Sequence, residues 1–171
     1  MSMTHRYLAV FALALASVTT AGTAVAASQS GATDSADKKL KITHEADRPT
    51  RTDLSKYFTG QALVNPLFSA EDDSKATSAV VTFEPGARTN WHTHPIGQQL
   101  VVTDGVGWVQ IEGQPKRTIR AGDVVWIPAD VKHWHGASAD HSMTHIAIQE
   151  RRDGSNVHWL GPVSDAEYQA D

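Results

Sequence analysis

The amino-acid sequence predicts an all-β domain, and two observations support this fold class. Short runs rich in β-branched residues recur from Thr77 onward, and Gly, Pro, Asn and Asp separate them. No stretch between these runs has the apolar period of a helix, which disfavours a parallel sheet with crossover helices. Many short strands joined by tight turns are typical of a β-sandwich or β-barrel. We therefore expect one all-β domain over residues 40–171 of the 171-residue chain.

The segment before the regular strands carries weaker signals. Residues 41–45 are predicted to form a short edge strand, and residues 53–58 a helical turn or a loop. Residues 61–64 are predicted as a strand that ends at Asn65-Pro66, because proline cannot donate a hydrogen bond to a sheet ladder.

Turn signals divide the rest of the domain into regular elements. The predicted strands cover residues 78–83, 88–94, 98–103, 107–111, 117–119, 124–127, 132–136, 143–149 and 157–160. Asp104-Gly105 predicts a tight turn that joins two of these strands as a hairpin. Ser164 is expected to start a short C-terminal helix that ends near Ala170, since serine is a favoured N-cap residue.

Residues 1–27 have the composition of a secretory signal peptide. An apolar run extends from Tyr7 to Val18, and small residues follow it as far as Ala26. Because the run is too short to span a membrane, we expect cleavage near Ala26, export to a periplasm or beyond, and no membrane span afterwards. The alternative is an uncleaved anchor. Residues 28–39, rich in small and polar residues, are predicted to be a flexible linker.

The composition argues against several classes of function. The formal charge is −4 and no basic stripe is interleaved with aromatic residues, so we expect no nucleic-acid partner. The chain has no cysteine, which removes disulfides, thiolate nucleophiles and zinc–cysteine sites. Any metal ion would therefore be held by imidazole, amide or carboxylate groups, and the chain has nine histidines to supply imidazoles.

Two imidazoles stand at the spacing of a metal site. In an extended strand, His92 and His94 place their side chains on one face, with Cβ atoms roughly 6–7 Å apart. Gln98 and the distant His133 complete a four-point cage for a divalent transition metal such as Mn, Fe, Co, Ni or Zn. The alternatives are two solvent-exposed histidines, an amide that only forms hydrogen bonds, and a buried core histidine. His135 shares the inward face with His133 and is predicted to support the ligands or to have no role in the site.

The last main strand carries a polar face. His145, Ala147 and Gln149 share one side of this strand, and Ile146 and Ile148 share the other. We expect the polar side to line a pocket, where His145 acts as a general base with a pKa kept low by burial and by the cation. The alternative for His145 is a supporting or surface position.

These residues resemble the two motifs of the cupin family. The residues at the positions of the first motif are Gly86, His92, His94, Gln98 and Gly105, with the amide of Gln98 in place of the usual glutamate. The residues at the positions of the second are Gly122, Pro128, Asp130, His133 and Ala137, where Asp130 and Ala137 depart from the motif. The match covers roughly residues 77–150 and implies a single-domain double-stranded β-helix, or jelly-roll barrel.

Within this family the chain resembles the bacterial manganese-dependent (R)-hydroxynitrile lyases, which split cyanohydrins into a carbonyl compound and cyanide. The matching runs are Phe83–Thr89, Trp91–Pro95, Gly122–Trp126, Lys132–Ala137 and Met143–Glu150. The resemblance implies manganese on His92, His94, Gln98 and His133. It also implies a substrate pocket lined by His145 and Gln149, and a homo-oligomer of two or four chains.

Gln98 bears on the choice between three functions. Unlike a carboxylate, an amide leaves the charge of the metal uncancelled, which favours Lewis-acid chemistry on a substrate hydroxyl. We therefore predict an exported, metal-dependent lyase that acts on a small molecule. The alternatives are a metal- and oxygen-dependent oxidoreductase of the dioxygenase type, and a binding protein for small molecules without catalysis.

Overall fold

The computed structural model describes residues 40–71 and 73–170, and nearly all of its regular elements are strands. The predicted signal peptide (residues 1–27) and linker (residues 28–39) lie outside these residues. The strands in the described part are β1 Phe58–Thr59, β2 Ala62–Phe68, β3 Ala76–Phe83, β4 Arg88–Thr89, β5 His92–Thr93, β6 Gln98–Ile111, β7 Arg117–Arg120, β8 Val124–Ile127, β9 His133–Ala137, β10 Met143–Glu150 and β11 His158–Trp159. A 3₁₀ turn at Glu45–Asp47 and the helix α1 at Asp165–Gln169 accompany them. The predicted all-β fold class is confirmed.

Strand β6 belongs to both halves of the sheet. Its first half pairs with β8 and β10, and β10 continues through β3 to β2. Its second half pairs with β7 and β9, and β9 continues to β4 and β5. Two short strands complete this half, since β1 pairs with β4 and β11 with β5. Because one bent strand is shared, the two half-sheets face each other across a common interior.

The hairpin predicted at Asp104-Gly105 is wrong, because residues 98–111 form one continuous strand. Gly105 has a φ angle of 74°, and the pairing of β6 with β10 shifts register between Thr144 and His145. The unpaired residue of this bulge is Thr103, two residues before Gly105. A bulge bends a strand without ending it, and glycine tolerates the left-handed φ beside it. The glycine is also required by space, since a Cβ at position 105 would lie 2.0 Å from the carbonyl oxygen of Ser142.

Three other predicted elements differ from the structure. Residues 41–45 form no strand, and a 3₁₀ turn begins at Glu45 instead. Strand β2 runs through Pro66, because β2 is the edge strand of its half-sheet and the missing N–H leaves no ladder bond unmade. Residues 88–94 form two short strands, β4 and β5, which both pair with β9.

Two clusters of buried apolar side chains stabilise the fold. The larger lies between the half-sheets and includes Phe83 and Leu100, both fully buried. Members of the second cluster come from the barrel and from the C-terminal segment: Trp91, Trp134, Val163 and Tyr168. Complete burial of one large apolar side chain contributes roughly 1.5–3 kcal/mol. Packing against the barrel therefore holds the C-terminal segment in place.

The predicted C-terminal helix is confirmed as α1. Ser164 is its N-cap, and its backbone N–H donates to the carboxylate of Glu167 at 2.7 Å in a capping box. The buried guanidinium of Arg88 donates to the carbonyl of Val163 at 2.9 Å and to the carboxylate of Asp165 at 2.6 Å. These bonds fasten the start of α1 to β4. Among the described residues, no helix is long and apolar enough to cross a membrane.

Candidate metal centre

Strand pairing brings the predicted ligands together in the interior. His92 of β5 lies directly opposite His133 of β9, and Gln98 at the start of β6 lies opposite Gln149 of β10. His94 follows the end of β5 by one residue. The side chains of His92, His94, Gln98 and His133 are all buried. The two histidines of the first motif are therefore not solvent-exposed.

A backbone carbonyl orients each of three imidazoles. The Nδ1 atoms of His92 and His133 each donate, at 2.9 Å, to the carbonyl oxygen two residues earlier in the chain. The Nδ1 atom of His94 donates to the carbonyl oxygen of Asn156. Since a carbonyl can only accept, each neutral ring carries its proton on Nδ1 and has a lone pair on Nε2. Metal-binding histidines have this arrangement.

The amide of Gln98 faces these imidazoles. Its Oε1 atom lies 3.2 Å from Nε2 of His133. Its Nε2 atom donates to Oε1 of Gln149 at 3.3 Å, which turns the amide oxygen toward the rings. The amide oxygen of Gln98 therefore faces the lone pair of His133, and the ring of His92 packs against that of His133 with a centroid distance of 4.2 Å.

Thr77 and Asn156 stabilise this arrangement, and the sequence analysis missed both. The side-chain amides of Gln149 and Asn156 donate to the hydroxyl oxygen of Thr77 at 3.0 and 2.9 Å. The hydroxyl of Thr77 donates in turn to the backbone carbonyl of Gln149 at 3.0 Å. Thr77 thus connects Gln149, which orients Gln98, with Asn156, which orients His94. Neither residue belongs to a motif, and only these contacts reveal its role.

The contact between His133 and Gln98 fits a cation. The Nδ1 proton of His133 is used by a carbonyl, so its neutral ring has only a lone pair to offer to Oε1 of Gln98. Two acceptors at 3.2 Å repel each other unless a positive ion lies between them. Two ligands at right angles around a first-row metal ion lie roughly 3 Å apart. Nε2 of His94 is also buried without a hydrogen-bond partner, so its lone pair is available to a cation.

Burial keeps the imidazoles of this site neutral. Desolvation lowers the pKa of His94 and of His133 to about 4. Burial, and then the neighbouring imidazoles of His133 and His94, hold the pKa of His92 well below its usual range. A protonated ring has no lone pair at Nε2 for a metal. At neutral pH all three rings are therefore in the form that can bind one.

A second pair of imidazoles lies beside this group. Nδ1 of His135 is 3.2 Å from Nε2 of His145, and both side chains are buried. The outer nitrogens, Nε2 of His135 and Nδ1 of His145, have no hydrogen-bond partner. Since one proton lies between two neutral rings, one outer nitrogen carries a lone pair and the other an N–H. The pair can therefore exist in two tautomeric arrangements.

His135 also comes close to the predicted ligands. The ligand atoms of His92, His133 and His135 all lie within 4.8 Å of one another, so these three histidines could hold a metal ion. This group shares two members with the predicted set and adds a residue that the sequence analysis treated as a support. The close approach arises because His133 and His135 are two residues apart on β9 and point to the same face.

A cavity of about 280 Å³ opens onto both imidazole groups. Its polar lining includes His92, His94, Gln98, His135, His145 and Gln149. Its walls are apolar or aromatic: Leu54, Tyr57, Phe58, Val64, Ala79, Val81, Ala147, Val157 and Trp159. The aromatic walls were not predicted, because they come from short segments outside the motifs. A cavity of this size accommodates one small molecule.

The arrangement combines two kinds of chemistry. Three imidazoles and an amide are neutral ligands, so a bound divalent ion would keep its full charge for polarising a substrate oxygen. The pair of His135 and His145 provides a nearby lone pair that can accept a proton.

Comparison with known proteins identifies the family. The model of the cupin domain family matches residues 79–148. The chain is 54% identical over 112 residues to (R)-mandelonitrile lyase from Granulicella tundricola, a match that covers 66% of this chain and 86% of that protein. The predicted resemblance to cupins is thereby confirmed.

Solved structures agree with this assignment. A cupin-like protein from Thermotoga maritima is 43% identical, with a TM-score of 0.64 and coverage of 69% of this chain and 90% of that one. A cupin-2 domain from Rhodospirillum rubrum has a TM-score of 0.57 over 75% of this chain and 84% of that one, and its 15% identity indicates a likeness of fold alone. The chain belongs to the cupin family.

Proposed function

We propose that this protein is a metal-dependent lyase that cleaves a cyanohydrin into a carbonyl compound and cyanide. One observation carries the proposal: His145 and Gln149 line the same cavity as the converging imidazole and amide groups. The proposal is supported by the 54% identity to a protein named (R)-mandelonitrile lyase. A cyanohydrin has one hydroxyl group, which needs one Lewis acid and one base.

We propose that the resident metal is divalent manganese, with His92, His94, Gln98 and His133 as its ligands. The neutral nitrogen and oxygen donors support a divalent first-row ion, and the resemblance to manganese-dependent lyases supports manganese among these. When bound, the ion would make the hydroxyl group of the substrate more acidic. His135 would lie next to the ligands, where its bond to His145 orients that ring.

In the proposed reaction His145 accepts the hydroxyl proton of the substrate. Burial lowers the pKa of His145 to about 4, so the ring is neutral at pH 7 and has a lone pair for this proton. As the O–H bond breaks, the oxygen electrons form the carbonyl double bond, and the bond to the nitrile carbon breaks with its electron pair on cyanide. The proton on His145 then passes to cyanide, and hydrogen cyanide leaves.

The test uses purified full-length protein loaded with Mn²⁺ and (R)-mandelonitrile, with benzaldehyde release followed by absorbance. We expect turnover that a chelator removes and Mn²⁺ restores. His145→Ala should lower kcat about 10²–10⁴-fold, the usual contribution of a general base. His141→Ala, at an exposed position, is the matched control and should be fully active. No benzaldehyde release above the His145→Ala background would refute the lyase.

The two alternative functions give different results in the same experiments. A dioxygenase-type oxidoreductase would consume oxygen with phenolic or diketone substrates, which an oxygen electrode detects. A binding protein would retain a small molecule tightly without converting it. The neutral amide at Gln98 favours the lyase, because a less anionic ligand set stabilises the lower oxidation state of the metal.

Export and self-association stay predictions. We propose that the chain is exported after cleavage near Ala26, which N-terminal sequencing of the extracytoplasmic protein checks.

We also propose a homo-oligomer. Val124 and Trp126, 69% and 58% exposed on β8, support it, because β6 is the single described strand that pairs with β8, which leaves an apolar edge. Sedimentation equilibrium would give the number of chains.

A further inference from the structure

Arg51 is the one formally charged residue among the described residues that line the cavity. No carboxylate lines the cavity in the described part of the chain. Arg51 is exposed, whereas the imidazoles are buried, so it lies at the mouth and they lie at the inner end. A ligand that extends to the mouth of the cavity therefore comes close to a residue that carries a positive charge.

The backbone of Arg51 is firmly attached to the barrel. Its N–H donates to the carbonyl of Val64 at 2.8 Å, and the N–H of Val64 donates back at 3.0 Å. Nearby, Arg48 donates from its guanidinium to the carbonyl of Pro66 at 2.7 Å, and Asn65 donates to the hydroxyl of Thr50 at 3.0 Å. The segment that carries Arg51 thus lies along β2, to which an isolated β-bridge between Arg51 and Val64 joins it. The base of this side chain is fixed beside the cavity.

The guanidinium of Arg51 makes no hydrogen bond or ion pair with any residue that the structure describes. Two other arginines differ in this respect: Arg88 binds Asp165, and Arg152 lies 3.8 Å from Asp130. Exposed arginines without partners are common and carry no function by themselves. Arg51 differs because it lines a cavity whose other described groups cannot neutralise it.

A continuous row of rings leads from the outer cavity wall to the imidazoles. The centroids of Tyr57 and Trp159 are 4.9 Å apart, and those of Trp159 and His92 are also 4.9 Å apart. Phe58 lies 5.9 Å from Trp159 in the same wall. This surface suits a flat apolar body, since aromatic groups pack favourably on one another at such separations. The cavity therefore has three zones: cationic, aromatic and metal-binding.

We propose that the substrate carries a carboxylate, which Arg51 binds at the mouth of the cavity while an aromatic ring lies against Trp159. A planar guanidinium binds a carboxylate through two parallel hydrogen bonds, which gives both affinity and orientation. The inference rests on the proposed function and names its substrate class: a carboxylate-bearing aryl cyanohydrin. Its cleavage gives an oxo acid and hydrogen cyanide, with the atoms balanced as for mandelonitrile.

A binding experiment tests the carboxylate site without turnover. Quenching of tryptophan fluorescence is titrated with 4-formylbenzoate and with benzaldehyde, which differ only in the carboxylate. We expect at least tenfold tighter binding of 4-formylbenzoate, a preference that Arg51→Ala removes and Arg51→Lys partly keeps. Arg120→Ala removes an exposed arginine of β7 that does not line the cavity, and it should keep the full preference. Thermal melting confirms that each variant is folded.

A kinetic experiment then connects the carboxylate site to the reaction. The ratio of kcat/KM for 4-carboxymandelonitrile to that for mandelonitrile should fall about tenfold in Arg51→Ala. A preference for binding 4-formylbenzoate over benzaldehyde, without cleavage of either cyanohydrin, would support the carboxylate site and refute the lyase. Cleavage of mandelonitrile without a preference for 4-formylbenzoate in binding or for 4-carboxymandelonitrile in turnover would refute the carboxylate site and leave the lyase in place. A preference that survives Arg51→Ala but disappears on metal removal would place the carboxylate on the metal and overturn the proposal.

Discussion

The interior of the barrel holds two groups of imidazoles that are buried to a similar extent but bonded differently. His92, His94 and His133 each donate a hydrogen bond from Nδ1 to a backbone carbonyl. His135 and His145 are bonded to each other, and their outer nitrogens have no partner. The backbone fixes the position of the proton in the first group, whereas it leaves that position open in the second.

Under the proposed function, this difference separates metal binding from proton transfer. A metal ligand must keep one lone pair in one direction, and a backbone carbonyl enforces this because it cannot become a donor. A general base must gain and lose a proton, and a partner that can both donate and accept allows this. Burial alone does not distinguish the two roles, since it lowers the pKa of His133 and His145 alike, to about 4.

Alanine substitutions in the two groups should therefore separate metal content from turnover. We expect His133→Ala to lose the metal and at least about 10³-fold in turnover, because an open ligand position weakens the site. His135→Ala and His145→Ala should keep the metal and lose turnover. Elemental analysis of the purified variants, with His141→Ala as the exposed control, measures the first quantity. Metal loss in His135→Ala would move that residue into the ligand set.

Acid should destabilise the metal-free protein over a defined range of pH. The pKa values of His94, His133 and His145 are lowered to about 4 in the folded state, from 6.5. Between these values the unfolded chain binds protons that the folded chain does not, so stability is full above pH 6.5 and falls toward pH 4. Each of these imidazoles contributes about 2 kcal/mol to the loss between pH 7 and 5.

Urea unfolding at several pH values measures this loss of stability, and the variant His145→Gln isolates the contribution of one imidazole. The amide does not titrate, so the variant should lose less stability between pH 7 and 5 than the wild type. His141→Gln, the same substitution at an exposed position, is the matched control variant. A wild-type stability that stays constant across this range would contradict the neutral, buried state of these rings.

Much of the fold follows from local signals in the sequence. Ser164 and Glu167 form the predicted capped end of the helix, and the turn residues mark the boundaries of most strands. The errors occur where tertiary structure overrides a local signal. Gly105 predicts a hairpin, yet it lies beside a bulge in a long strand, and Pro66 is accommodated because β2 lies at an edge.

The candidate site also contains residues that the sequence predicts and residues that only the tertiary structure reveals. Histidines at fixed spacing predict a metal site, because a strand turns that spacing into a shared face. Thr77 and Asn156 are invisible to this reasoning, since each acts through contacts with residues distant in the chain. The place of Arg51 beside the cavity likewise depends on the pairing of its backbone with Val64. The role of His135 also depends on tertiary structure, as its partner His145 lies on another strand.

The smallest expected effect comes from Gln98→Glu, which changes one ligand without removing it. The carboxylate would cancel one unit of metal charge, so we expect tighter metal binding and about tenfold lower turnover. It also cannot donate to Oε1 of Gln149, so the Gln149 amide must turn over and give up its bond to Thr77. Gln99→Glu adds the same charge at the next, exposed position and should leave both quantities unchanged. Metal titration and steady-state kinetics measure metal affinity and turnover in both variants. Turnover of Gln98→Glu equal to that of the wild type would show that the neutral charge of Gln98 is not what suits this site to Lewis-acid chemistry.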